Sequence, residues 1–103
     1  MDAIAECMNM IAYGGEAKGH ALEAINQAKE GDFAACEESL KLSDEALTKS
    51  HQAHTNLLFY DAQNQDLQVT ILMVHAADHL GSAETIRTLA DEIIYLIKEV
   101  KHV

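Results

Sequence analysis

No proline interrupts the 103 residues, tryptophan is absent, and glycine occurs only five times. Without proline and with few turn-forming clusters, the chain cannot be a Pro-rich linker or a fold of many short strands joined by tight turns. Basic residues are scarce as well, 7 against 17 acidic ones, for a formal net charge of −10. Such a surface repels nucleic-acid phosphates and anionic lipid headgroups, which excludes both as partners. A protein partner with a basic patch is the expected complement. The two cysteines, Cys7 and Cys36, lie far apart with no metal-ligand spacing, and both read as buried thiols. The longest apolar runs, such as Ile71 to Val74, fall far short of the roughly 20 residues that a membrane span needs. The start Met1-Asp2-Ala3 has neither the basic residues nor the apolar stretch of a signal peptide, so the expected location is cytoplasmic.

Ala, Leu, Glu, Lys, Gln and Met are plentiful, and 49% of the residues are apolar. Straight side chains lose little freedom in helices, so the composition predicts one all-α domain over 1–103. A first helix is expected over about Met1–Lys29, with a stripe of Ile4, Met8, Ile11, Gly15, Lys18, Leu22 and Ile25. Gly31 can end it in the left-handed conformation, and Asp32 can cap the next helix. So short a connection sets the two helices antiparallel. The second helix, about Phe33–Tyr60, carries Phe33, Cys36, Leu40, Ser43, Leu47, Ser50, His54 and Leu57. Asp61 to Asp66 reads as a polar loop with Asp66 as a cap. The third helix, about Leu67–Val100, has the most regular seam: Val69, Leu72, Ala76, His79, Ala83, Ile86, Ala90, Ile93, Ile97 and Val100. A second stripe runs beside it through Ile71, His75, Asp78, Ser82, Thr85, Leu89, Glu92 and Leu96, aliphatic at its ends and polar in its middle. Two apolar flanks on one helix call for neighbours on both, and a three-helix chain supplies only one core, so the second flank predicts self-association.

His75, Asp78 and His79 fall within five residues at the centre of the third helix. Spacings of three and four put them on one side of it, in mid-helix, where no free N–H groups can bind an anion. Three readings compete. His79 is a hydrogen-bonded core histidine beside an exposed His75; or His75 and His79 coordinate zinc with Asp78 as ligand or base; or an uncharged imidazole attacks phosphorus. Histidine suits the last role because its ordinary pKa near ~6.5 leaves it neutral in the cytosol. Spacing alone does not choose among them. His51 and His54 read as polar seam residues, and His20 as a surface residue.

Four stretches carry a resemblance that does choose. They are Ile11-Ala12-Tyr13-Gly14-Gly15-Glu16-Ala17-Lys18, Ala28-Lys29-Glu30-Gly31-Asp32-Phe33, Ser50-His51-Gln52-Ala53-His54-Thr55, and Val74-His75-Ala76-Ala77-Asp78-His79-Leu80. Together, over nearly the whole chain, they resemble the lactose/cellobiose-type IIA components of the bacterial phosphoenolpyruvate-dependent sugar phosphotransferase system. The last stretch is similar to the family's V-H-A-Q-D-H-L. The resemblance implies an antiparallel three-helix bundle, assembled as a homotrimer of nine helices. It implies a phosphocarrier without an organic cofactor, serving uptake of a disaccharide of the lactose, cellobiose or chitobiose class. His75 would accept phosphoryl from the phosphocarrier HPr and pass it to a cysteine of the cognate IIB component, with His79 in support. Asp78 would meet its two copies at the trimer axis and bind a divalent cation there, Mg²⁺ being the expected one. A hard cation would relieve the repulsion of three carboxylates.

This sequence departs from the family pattern in four places. Ala77 stands for Gln, Gly81 for Met, Lys18 for Arg, and His54 where Gln is common. Two residues along a helix is a turn of roughly 200°, so position 77 faces away from His75 and bears on a neighbouring helix or a docking partner. The alternatives to the carrier reading are a helical metal-binding protein using His75 and His79, and a helical interaction module without chemistry.

Overall fold

The computed structural model describes residues 1–103 as three long helices: α1 (Ala3–Lys29), α2 (Phe33–Asn64) and α3 (Ile71–Lys101). Each begins on a side-chain cap. Asp2 accepts from the Ala5 N–H at 3.0 Å, Asp32 from Ala35 at 3.1 Å, and the Thr70 hydroxyl from Met73 at 3.2 Å. Gly31, at φ +82°, turns the chain between α1 and α2 in the left-handed region, as the Gly-Asp pair predicts. Lys98 and Lys101 lie in the last turn of α3, where positive charge suits the helix dipole.

The second connection differs from expectation. α2 continues four residues past Tyr60, and α3 starts at Ile71 rather than Leu67. The Asp61–Asn64 stretch lacks apolar spacing because it is a solvent-exposed helix end, held by backbone bonds and by the Asn64 amide donating to the Tyr60 carbonyl at 2.9 Å. Gln65 closes the helix at φ 53°. Asp66 caps nothing; its carboxylate accepts from the Tyr60 hydroxyl at 3.3 Å. Leu67 and Val69 mimic helical spacing from an irregular segment, in which Leu67 folds over the end of the core.

The molecule is a rod of 55 × 19 × 17 Å. α1 lies between the other two helices, which touch each other little. Its position explains a second correction. The buried face of α1 is Cys7, Met10, Gly14, Ala17, Ala21, Ala24 and Ala28, one residue away from the expected stripe. Ile4, Met8 and Leu22 are exposed, Ile4 by 67%. A helix packed closely on two sides needs small side chains at the contacts, and its larger aliphatic residues move to the flanks.

Seen along the rod, Cys7, Met10, Ala53, Leu57, Ala76 and Leu80 fill one end of the core. Ala17, Ala46 and Ala83 form a thin middle, and Ala21, Ala24, Ala28, Cys36, Ala90 and Ile94 fill the other end. The expected seam of α3 is therefore right at its centre, through Ala76, Ala83 and Ala90, while Val69 before the helix and Ile93 and Val100 within it are exposed, Ile94 being buried in place of Ile93. The serines of α2 are core residues with partners. Ser43 donates to the Ala17 carbonyl at 2.7 Å and Ser50 to the Met10 carbonyl at 2.9 Å, stitching α2 to α1 where the side chains are too small to interlock. Both cysteines are free and buried.

The second stripe of α3 lies open along one side of the rod. Ile71 is 90% exposed and Leu96 60%, with Leu89 also exposed between them. His75 and Asp78 sit on this uncovered face.

Candidate functional site

The site is built where Gly14 brings α1 against the backbone of α3. Gly14 faces the backbone of α3, and a Cβ there would stand 3.4 Å from the His79 carbonyl oxygen. Ala76, one turn before Leu80, is fully buried against the same end of the core. One helical turn beyond Gly14, Lys18 is carried to the same level and reaches across to α3. Its Nζ lies 3.4 Å from Nδ1 of His79.

His79 in turn holds His75. The two Nε2 atoms are 3.1 Å apart, and the rings meet edge to face, with centroids 4.5 Å apart and planes at 87°. The half-buried His79 thus stands between an ammonium inside and an exposed imidazole outside. Burial holds the His79 pKa below its ordinary value, helped by the Lys18 charge and by His75, and only Asp78 pulls the other way. A neutral His79 beside a reachable His75 is an arrangement suited to nucleophilic chemistry at an imidazole nitrogen.

Asp78 is exposed on the open face and makes no hydrogen bond or ion pair within the subunit. It does not join the two histidines into a metal site. No group of three His, Cys, Asp or Glu side chains converges anywhere in the chain, and the Lys18 ammonium beside His79 repels a cation. The zinc reading of His75 and His79 therefore lacks a third ligand in the subunit.

The remaining histidines lie elsewhere. His51 pairs with Glu84 at 2.8 Å and links α2 to α3. His54 lines a mostly apolar groove of about 300 Å³ between the end of α2 and the start of α3, with Leu57, Leu67 and Met73. Ala77 opens onto that groove and His75 does not, as the turn between the two positions requires. His20 is half-buried in α1, away from the pair.

Of the residues singled out in the sequence, the structure brings His75 and His79 together and leaves Asp78 apart; Lys18, met there as an interruption in an apolar stripe and as a replacement of the family's Arg, was given no role beside His79. No spacing in the sequence pairs it with His79, from which it is 61 residues away.

Comparison with known proteins agrees with this geometry. The family model described as "PTS system, Lactose/Cellobiose specific IIA subunit" matches residues 5–98. The galactose-specific EIIA component of Lactococcus lactis is 43% identical over 93 residues, covering 90% of this chain and 80% of the relative. The crystal structure of the cellobiose-specific enzyme IIA from Bacillus anthracis superposes with a TM-score of 0.94 at 31% identity, over 99% of this chain and 94% of that one. The IIA(chitobiose)–HPr complex of the Escherichia coli phosphotransferase system, solved in solution, gives a TM-score of 0.84 at 34% identity over 98% of both chains. With the three helices, the open histidine pair and these matches all in agreement, the chain belongs to the lactose/cellobiose-specific IIA subunits of the sugar phosphotransferase system.

Proposed function

We propose that this IIA subunit carries a phosphoryl group on Nε2 of His75, taken from phospho-HPr and handed to a cysteine of its IIB component during disaccharide uptake. The observation that supports it is the exposed His75 ring on an open helix face, with the neutral His79 imidazole 3.1 Å from its Nε2. Nε2 is the ring nitrogen furthest from the backbone, on an exposed side chain, and its neighbour in the subunit is the His79 ring. The relative solved in complex with HPr has the same fold, which supports HPr as the donor here.

In the transfer, the hydrogen bond between the two Nε2 atoms opens, and the freed Nε2 lone pair of His75 forms the new bond to phosphorus. The bond from phosphorus to the donor's imidazole nitrogen breaks, and its electron pair returns to that nitrogen. Each ring keeps the proton on its other nitrogen, so no base is needed. In-line transfer of this kind depends on positioning and on charges around the phosphoryl oxygens, and docking partners bring part of both. Passing the group to a IIB thiolate exchanges the N–P bond for an S–P bond.

The same reading makes the open face of α3 the seam of a homotrimer. Ile71, Leu89 and Leu96 would be covered, and three Asp78 carboxylates would meet at the axis. Unpaired carboxylate oxygens fit a hard divalent cation such as Mg²⁺, which would neutralise their mutual repulsion. No helix is long and apolar enough to cross a membrane, and the reading places the protein in the cytoplasm with its donors.

The test is incubation with enzyme I, HPr and labelled phosphoenolpyruvate. Acid-labile, base-stable label is expected on the wild type and none on His75→Ala. Label that survives in His75→Ala would refute the assignment.

A further inference from the structure

We infer that Lys18 is a positioning residue for the carrier chemistry, fixing the tautomer of His79 and through it the nitrogen of His75 that keeps its lone pair. The inference rests on His75 being the phosphoryl acceptor and adds the group that prepares it.

A lysine ammonium has three donors and no acceptor, so the ring nitrogen that faces it must offer a lone pair. Lys18 Nζ faces Nδ1 of His79 at 3.4 Å. A neutral imidazole carries a single N–H, which in His79 is therefore on Nε2. That N–H points at Nε2 of His75, 3.1 Å away, and the contact is a hydrogen bond only if His75 Nε2 accepts. His75 then holds its own proton on Nδ1. The chain of bonds runs in one direction, from Lys18 through His79 to His75.

Without the ammonium nothing sets that direction. The pair can equally form with His75 donating from Nε2, and in that arrangement a proton occupies the lone pair that must attack phosphorus. The ammonium is also unusually placed for this chain. Lys18 is the one lysine whose side chain has a hydrogen-bond partner, and that partner is the ring of His79. Lys18 is half-buried on the Gly14 side of α1, where the close approach to α3 holds it in reach.

Lys18→Met and Lys18→Arg separate this role from a merely structural one. Methionine keeps the length of the stem without the charge, and arginine is again a donor-only cation. Helicity and unfolding midpoint are checked first by circular dichroism. Long-range ¹H–¹⁵N spectra of the unphosphorylated protein then read which nitrogen of His75 and His79 bears the proton. Wild type and Lys18→Arg should show protonated Nε2 on His79 and bare Nε2 on His75, and Lys18→Met a mixture on both rings. Transfer from phospho-HPr should slow about tenfold in Lys18→Met, the loss expected for one charge-assisted hydrogen bond, with KM for HPr little changed. Lys18→Arg should recover most of the rate. Unaltered tautomers in Lys18→Met would overturn the inference, whatever the rate does. An unaltered transfer rate in the same variant would overturn it too. Neither result touches the acceptor assignment, which the His75→Ala labelling decides separately.

Discussion

At position 81 a glycine sits inside α3 with open space where a Cβ would stand, and its backbone is ordinary helix. Gly81→Ala should therefore stabilise the fold by about 1 kcal/mol through lower backbone entropy in the unfolded chain, read as a higher urea midpoint at unchanged slope. Gly14 is the opposite case. Alanine there would just touch the His79 carbonyl, but the longer side chain of Gly14→Leu would push α1 off α3. That change should cost about 1–3 kcal/mol in the same titration and separate Lys18 from His79. The buried thiols give a pH prediction. Burial raises the pKa of Cys7 and Cys36 above the ordinary 9.0. Because the fold favours the neutral thiol, that contribution is complete below pH ~9 and fades as pH climbs through the raised values. A thiol reagent should leave both cysteines unmodified at pH 7 until urea unfolds the chain, and rapid labelling of the native protein would contradict their burial. The nearness of His75 and His79 was legible because they lie one turn apart on one helix. Lys18 was not, because it is 61 residues from His79 and only the packing of α1 brings them together.

Among the elements, α3 was the most legible helix and α1 the least. The central part of the α3 periodicity falls on buried residues, Ala76, Ala83 and Ala90. In α1 hydrophobicity pointed to Ile4, Met8 and Leu22, while burial selected the alanines beside them, since a middle helix is chosen for closeness rather than for apolar area. Element ends followed their local chemistry. Gly31-Asp32 was readable, whereas Thr70 was hidden because Leu67 and Val69 prolong the apolar spacing outside the helix. The α1–α2 contact depends on hydroxyls as much as on methyl groups. Ser43→Ala is expected to lose about 1 kcal/mol by removing the bond to the Ala17 carbonyl, and Ser43→Leu far more, since no volume is free at a fully buried site. Thermal unfolding followed at 222 nm distinguishes the two.

At the scale of the whole molecule, charge and the open α3 face act together. A net charge of −10 opposes bringing copies together, and three Asp78 carboxylates at one axis would concentrate that repulsion. Asp78→Leu should accordingly preserve or tighten the proposed trimer in sedimentation velocity, and should remove any effect of a chelator on its assembly. Dissociation of this variant into monomers would contradict the axial placement. The acidic surface also predicts that capture by a basic partner slows as salt rises. The core of the rod sets one more limit. Its largest fully buried side chains are Met10, Cys7, Cys36, Ser43 and Ser50, a modest interior for helices of 27 to 32 residues. Much of the aliphatic mass lies outside it, on Ile71, Leu89 and Leu96. In the proposed trimer these side chains would be covered only by neighbouring copies, so dilution alone should act as a denaturant and lower the melting temperature of this protein.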